Sequence, residues 1–450
     1  TAAVRIMAGE ELAESAKAAE APLDPEKPAE KPEKPKKPAK KPKKKAAAEA
    51  EPEKLPEPEK PAEPAELTEA DKERIALEAH LAKRRAAEEA RRKKEEETKN
   101  RWWTSWETLE KRVQKQRWMV LSTSADHTCK LWDLESRDEK MRFTLTGCHE
   151  APVRTAACAV EKGYALTGAT DGTLAFWDLE RCELKEQFLT GKYGGILSIN
   201  ADFEKGRATT GTRDGTLCIW DAFRLACKDQ VPAHQGARLA FHSTDFANGI
   251  CITAATDGRV RVWDMEYVKC LGTYEGHEGA ISSLMVDWER NRVLSADDDG
   301  QLHYWHVDTR AVIHQLEGHT DRVTSLHGDI TEEGRLISTS NDETARVWNL
   351  HSGECLGTLT GHKQAVRDVA TDFKGQRAVT CSDDATVKVW DLEKMRCKAT
   401  LRGHLDRVTC VRARFDEDRV VSGSADSSMR VWDLESLECF ETFYGHAGSI

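Results

Sequence analysis

Residues 318–359 read GHTDRVTSLHGDITEEGRLISTSNDETARVWNLHSGECLGTL, and their order decides the fold. A Gly-His pair, Gly318-His319, opens the stretch. Arg335–Ser340, Ala345–Trp348 and Cys355–Leu359 are short runs separated by turn formers, and they read as three successive strands. Outward from this segment the same frame recurs. A Trp stands six residues after an Asp and ten after a Ser or Thr at Trp132, Trp177, Trp220, Trp263, Trp305, Trp348, Trp390 and Trp432. Successive tryptophans are 42–45 residues apart. A strand-built period of this length marks an all-β propeller in which each repeat is one four-stranded blade.

Gly-His recurs at 276–277, 318–319, 361–362, 403–404 and 445–446, and Trp-Asp at 132–133, 177–178, 220–221, 263–264, 390–391 and 432–433. With these dipeptides, residues 101–450 resemble the WD-repeat family. The resemblance implies that the Trp closes a blade's third strand, an outer strand follows, and the Gly-His loop leads to the next blade's inner strand. His306 and Asn349 replace the Asp after the fifth and sixth tryptophans, a drift read as neutral.

Each repeat can hold a chain of complementary polar groups. Indole donates only, a hydroxyl accepts and donates, neutral imidazole does one of each, and carboxylate only accepts. Linked as Trp, Ser/Thr, His and Asp, each satisfies the next, which avoids about 1–3 kcal/mol per unpaired buried group. Six repeats carry the full set: His149/Thr167/Asp171/Trp177, His234/Thr253/Asp257/Trp263, His277/Ser295/Asp299/Trp305, His319/Ser338/Asp342/Trp348, His362/Thr380/Asp384/Trp390 and His404/Ser422/Asp426/Trp432. The third has Lys192 in place of His, so Thr210, Asp214 and Trp220 form a looser blade. Ser, His and Asp are also hydrolase residue types. A catalytic triad, however, occurs once, beside an oxyanion hole, and six copies argue for architecture. No catalytic residue, metal site or cofactor is expected, and no phosphate loop is present.

Eight repeats favour a closed ring of eight blades, because an open propeller exposes unpaired strand edges. No Gly-His precedes the first repeat, whose strands are Trp118–Ser124 and Thr128–Trp132, so His446 is expected to supply its histidine. A second arrangement has Trp102–Glu107 as that blade's inner strand. Seven blades with an extra repeat, or a larger array cut short after Ile450, fit the same spacing. Met7 suggests that residues 1–6 are translated leader.

Composition changes sharply near residue 100. Twelve of 14 prolines lie between Pro22 and Pro64, so residues 1–66 read as a disordered tail. Lys31–Lys45 holds nine lysines and one glutamate, including Lys36, Lys37, Lys40, Lys41, Lys43, Lys44 and Lys45. Such a block attracts nucleic acid or acidic protein tails by charge alone, or is a solvated spacer. Residues 67–100 read as a charged helical stalk begun by a Thr68/Asp71 capping box. Its apolar Ile75, Leu77 and Leu81 are too few for a long seam, which leaves a short coiled coil as the minority reading, and Trp102, Trp103 and Trp106 are expected to anchor its end.

Residues 1–100 balance 24 Lys/Arg against 24 Asp/Glu, so the net −11 falls on residues 101–450, with 43 against 54. An acidic ring disfavours broad nucleic-acid binding by its surface. All 13 cysteines lie in this part without zinc-ligand or Cys-x-x-Cys spacing, and they read as small buried hydrophobes. With no secretory segment and no 18-residue apolar run, an intracellular place without membrane is expected, cytoplasmic or nuclear.

The family resemblance implies a peptide-binding face formed by the Gly-His loops and the turns between strands two and three. There it places Arg213, Asp298, Asn341 and Asp383 before the turn Asp, and Asp321, Arg322, Lys363, Asp406 and Arg407 after the Gly-His. The leading expectation is a non-enzymatic scaffold or adaptor for protein or peptide partners. Alternatives are a ribonucleoprotein or chromatin factor whose tail contacts nucleic acid, and a cytoskeletal or ciliary adaptor.

Overall fold

The computed structural model describes residues 4–7, 119–134, 141–189, 194–222, 224, 226–329 and 334–450. Within them, eight antiparallel four-stranded sheets stand as eight blades. The sixth shows the plan: inner strand Val323–Asp329, then Arg335–Ser340, Ala345–Asn349 and outer strand Glu354–Leu359. Strand two is buried from Leu336 to Ser340, and strand three at Ala345, Val347 and Trp348, because a neighbouring blade covers each face. The outer strand is exposed at its start.

Every blade carries a β-bulge where the outer strand meets the repeat's Trp, between Val347 and Trp348 in the sixth. The bulge increases local twist beside the indole. The core is split into eight layers, each straddling two adjacent blades. One holds Leu294, Leu302 and Leu316 of the fifth blade against Leu336 and Trp348 of the sixth. Trp132, Trp348, Trp390 and Trp432 are among the largest fully buried side chains. At roughly 25 cal/mol per Å2, burying such a side chain contributes about 4–6 kcal/mol.

The ring closes. Val4–Met7, assigned by the sequence to the tail or to a leader, pairs antiparallel with Met119–Thr123 as the first blade's inner strand. It neighbours the inner strands Val408–Arg414 of the eighth blade and Val153–Ala159 of the second. A core layer of Val120 and Trp132 with Val421, Met429, Phe443 and Ile450 seals the same seam. Residues 8–118, and with them the lysine block, the stalk helix and Trp102, Trp103 and Trp106, lie outside the described residues, as does Lys192. Among the described residues no helix is long and apolar enough to cross a membrane.

The cysteines need correcting. Seven are buried, but Cys355 and Cys397 are exposed and Cys182, Cys227, Cys270 and Cys439 are half-buried. Five of these six stand on outer strands, which have no blade outside them, and Cys182 is in the turn just before one.

Candidate partner-binding face

The face is built on the polar chains beneath it. In the sixth blade, Trp348 Nε1–H donates to Ser338 Oγ at 2.8 Å, Ser338 Oγ lies 2.7 Å from His319 Nε2, and His319 Nδ1 lies 2.7 Å from Asp342. The fourth, seventh and eighth blades repeat this through His234, His362 and His404, reaching Asp257, Asp384 and Asp426. In the first, Ser122 joins Trp132 to His446, which reaches Asp126 at 2.9 Å. The second inserts a hydroxyl: His149 meets Thr173, and Thr173 Oγ1–H donates to Asp171 at 2.6 Å.

The fifth blade departs from the sequence reading. His277 Nδ1 lies 2.8 Å from Asp297, not Asp299, which is exposed. Asp297 stands two residues earlier, where other blades have Ser, Thr or Ala, and it also accepts the turn amides of Asp299 and Gln301. His303 stacks on His277 with ring centroids 4.0 Å apart. In the third blade Trp220 still donates to Thr210 at 3.0 Å, while Asp214 accepts from Thr212.

These contacts set charge. Burial alone would raise Asp126, Asp342 and Asp384, yet hydrogen bonds from Thr128, Ala447 and His446, from His319 and Thr344, and from His362, Thr386 and Lys363 outweigh it and hold them well below the carboxylate range. Burial pushes His149 down to about 4 and also lowers His234, His404 and His446 against the pull of Asp171, Asp257, Asp426 and Asp126. His234, His404 and His446, held neutral in this way, bridge a hydroxyl and a carboxylate. The substitutions after Trp are functionally equivalent in the turn: Asn349 accepts the amide of His351 at 2.8 Å, as Asp264 does for Glu266, and His306 accepts that of Asp308 at 3.3 Å.

Above each chain, the residue preceding the turn Asp donates its amide to a loop carbonyl, which in seven blades belongs to the residue immediately before the inner strand and in the first to Ser449. The eight pairs are Ala125–Ser449, Thr170–Pro152, Arg213–Gly195, Thr256–Arg238, Asp298–Ala280, Asn341–Arg322, Asp383–Ala365 and Ala425–Arg407, all at 2.8–3.0 Å. One backbone geometry therefore presents eight different sets of side chains on this face.

A model of the "WD domain, G-beta repeat" family matches residues 268–306, 310–349, 353–391 and 395–433. The chain is a WD-repeat protein. Propellers of this family generally bind other proteins and are typically non-enzymatic. A 49-residue stretch is 41% identical to the Nuclear distribution protein PAC1-2 of Uncinocarpus reesii (strain UAMH 1704). That match spans 11% of this chain and 11% of the relative. The crystal structure of the computationally designed Ika8 protein is similar at a TM-score of 0.62 and 27% identity, covering 70% of this chain and 93% of that one.

On the WD-repeat rim, Asp321, Arg322, Lys363, Asp406 and Arg407 are exposed, as is Arg213, while Asp298, Asn341 and Asp383 are half-buried. Asp321 and Asp406 accept the amides of Arg322 and Arg407 at 2.6 and 2.7 Å. Two acids are already engaged: Asp298 pairs with Arg322 at 3.2 Å, and Asp383 with Arg367, whose Nε donates at 2.8 Å. Arg367 also reaches Asn341 at 3.5 Å.

Sequence reasoning missed Arg154, Arg238 and Arg367. Arg238 stands immediately before its inner strand, as Arg322 and Arg407 do, but a loop one residue longer moves it from three to four places after its His. Arg154 and Arg367 are second in their strands, where no loop signal exists. Burial, and then the like charges of Arg154, Arg213 and Arg322, depress the Arg238 guanidinium below its ordinary value. Among the described residues no cluster of three or more His, Cys, Asp or Glu is arranged to hold a metal ion.

Proposed function

We propose that this WD-repeat propeller is a non-enzymatic scaffold that holds protein or peptide partners on the rim formed by the Gly-His loops and the turns between strands two and three. The observation that carries this reading is the set of eight rim pairs, in which a constant backbone frame displays varied charged and polar side chains. The Ser, His and Asp groups that suggest hydrolysis are spent on one another: His319 has Ser338 on one nitrogen and Asp342 on the other. Such saturated, buried groups supply rigidity rather than a nucleophile. Leu405, 89% exposed beside Asp406 and Arg407, adds an apolar contact to a polar rim. The lysine block acts in this reading as a tether to a larger assembly.

The test is affinity capture from cell extract with the full chain, with and without nuclease. It is compared with variants carrying Lys→Gln at 36, 37, 40, 41, 43, 44 and 45, or Arg322→Glu with Arg407→Glu. The scaffold reading expects protein partners that survive nuclease and the lysine changes but are lost with the rim variant. Partners lost with nuclease or the lysine block, and indifferent to the rim, overturn it in favour of a nucleic-acid-associated factor.

A further inference from the structure

The rim is electrostatically uneven. On the second, third and fourth blades the residues preceding the turn Asp are Thr170, Arg213 and Thr256, none acidic; on the fifth and seventh they are Asp298 and Asp383. Each of those two acids neutralises an arginine, Arg322 and Arg367. Arg154 occupies in its blade the place that Arg367 occupies in the seventh, but the residue there that corresponds to Asp383 is Thr170. Among the described residues, Arg154, Arg213 and Arg238 have no carboxylate within ion-pair distance. The nearby turn acids are committed. Asp171 accepts from Thr173 and the Glu150 amide, Asp214 from Thr212 and Thr216, and Asp257 from His234, Arg259 and Arg261.

These three exposed guanidiniums stand on the rim of three adjacent blades, in a propeller whose charge is otherwise strongly negative, and the like charges of Arg154 and Arg213 both act on Arg238, a repulsion that an anion would relieve. We propose that Arg154, Arg213 and Arg238 form a recognition site for an anionic side-chain group on a peptide segment of a protein partner, a carboxylate cluster or a phosphorylated residue. The fork of an arginine matches either group with two parallel hydrogen bonds. A long polyanion fits poorly, because Glu150 and Asp214 beside these arginines and Glu278 on the loop leading into the next blade confine the positive field to one sector. This inference rests on the scaffold reading and names the chemistry of its ligand.

The experiment is peptide-array binding by the full chain. One scrambled set of 12-residue peptides is printed in three forms, neutral with serine, glutamate-substituted and phosphoserine-bearing, with fluorescent oligo(dT) as a separate probe. The wild type is expected to retain one or both anionic forms. Arg154→Ala with Arg213→Ala and Arg238→Ala should weaken retention at least tenfold, while Glu289→Ala with Arg290→Ala, exposed in the turn between the first two strands of the fifth blade, leaves it within twofold. Comparing the glutamate and phosphoserine arms tells the two anions apart. All three arginines are exposed, and matching thermal melts exclude misfolding; should the triple variant melt lower, the single variants take its place. Preference for neutral peptides, retention unchanged in the triple variant, tighter oligo(dT) binding through the same arginines, or no retention in any form overturns the proposal. Neutral peptides lost instead with Arg322→Glu and Arg407→Glu leave the scaffold reading standing alone.

Discussion

His446 Nε2 lies 2.7 Å from Ser122 Oγ, so the histidine of the Gly-His pair at 445–446 completes the polar chain of the first blade. The same imidazole reaches Asp126 at 2.9 Å, and its side chain is fully buried. A ring held at its seam by side-chain bonds and a core layer lacks the covalent continuity that joins its other blades.

His446→Ala is therefore expected to lower stability by about 2–4 kcal/mol, since it leaves Ser122 and Asp126 short of a partner. Urea unfolding of the full chain measures it. A midpoint equal to the parent's would mean that the seam does not depend on this histidine.

In the fifth blade the load rests on Asp297. Asp297→Ala should cost about 2–4 kcal/mol, because His277 and two turn amides lose their acceptor. Asp299→Ala, at an exposed position, should stay within about 0.5 kcal/mol. Thermal melts of the two variants decide it, and the reverse order would restore Asp299 to the chain.

The blade plan was readable because its spacing is local: Trp, Ser/Thr and Asp lie within eleven residues, and the histidine stands one strand upstream, as His319 does of Ser338, in every blade but the first and third. What failed was of two kinds. Asp297 and Asp299 have the same chemistry two residues apart, and counting back from Trp305 cannot tell them apart. Val4–Met7 pairs with residues more than a hundred positions later, and its four residues carry no Gly-His or Trp-Asp mark. On the rim, Arg213 and Arg322 were found by position, whereas Arg238 was hidden by a single extra loop residue.

Turn backbone supplies another contrast. Gly215 and Ala385 both stand five residues before their blade's Trp with φ of +88° and +61°. A Cβ on Gly215 would fall 1.7 Å from the His234 carbonyl oxygen and 2.5 Å from that of Ala237. Gly215→Ala should therefore cost about 2 kcal/mol or more, as neither backbone atom can yield cheaply. Ala385→Gly removes a left-handed strain and should change stability by no more than a gain of about 1 kcal/mol. Equal losses for both, read by urea unfolding, would contradict the strain argument.

Acid should weaken the propeller well before its carboxylates titrate. Burial holds His149 and His242 at about 4, and it lowers His234, His404 and His446 as well. The unfolded chain binds these protons near pH 6.5 while the folded one refuses them, so the stability they contribute is complete above about 6.5 and is lost as pH falls towards 4. For His149 and His242 alone the loss is on the order of 3 kcal/mol each. The depressed acids act lower: Asp426, held at about 2 by Ser428, Leu405 and His404 against its burial, contributes stability that disappears only below the ordinary carboxylate range. Urea midpoints measured from pH 7.5 to 4.5 should therefore fall steadily through the histidine window, with His242→Asn flattening part of the slope. A midpoint constant down to pH 5 would show that these imidazoles titrate alike in the folded and unfolded chains.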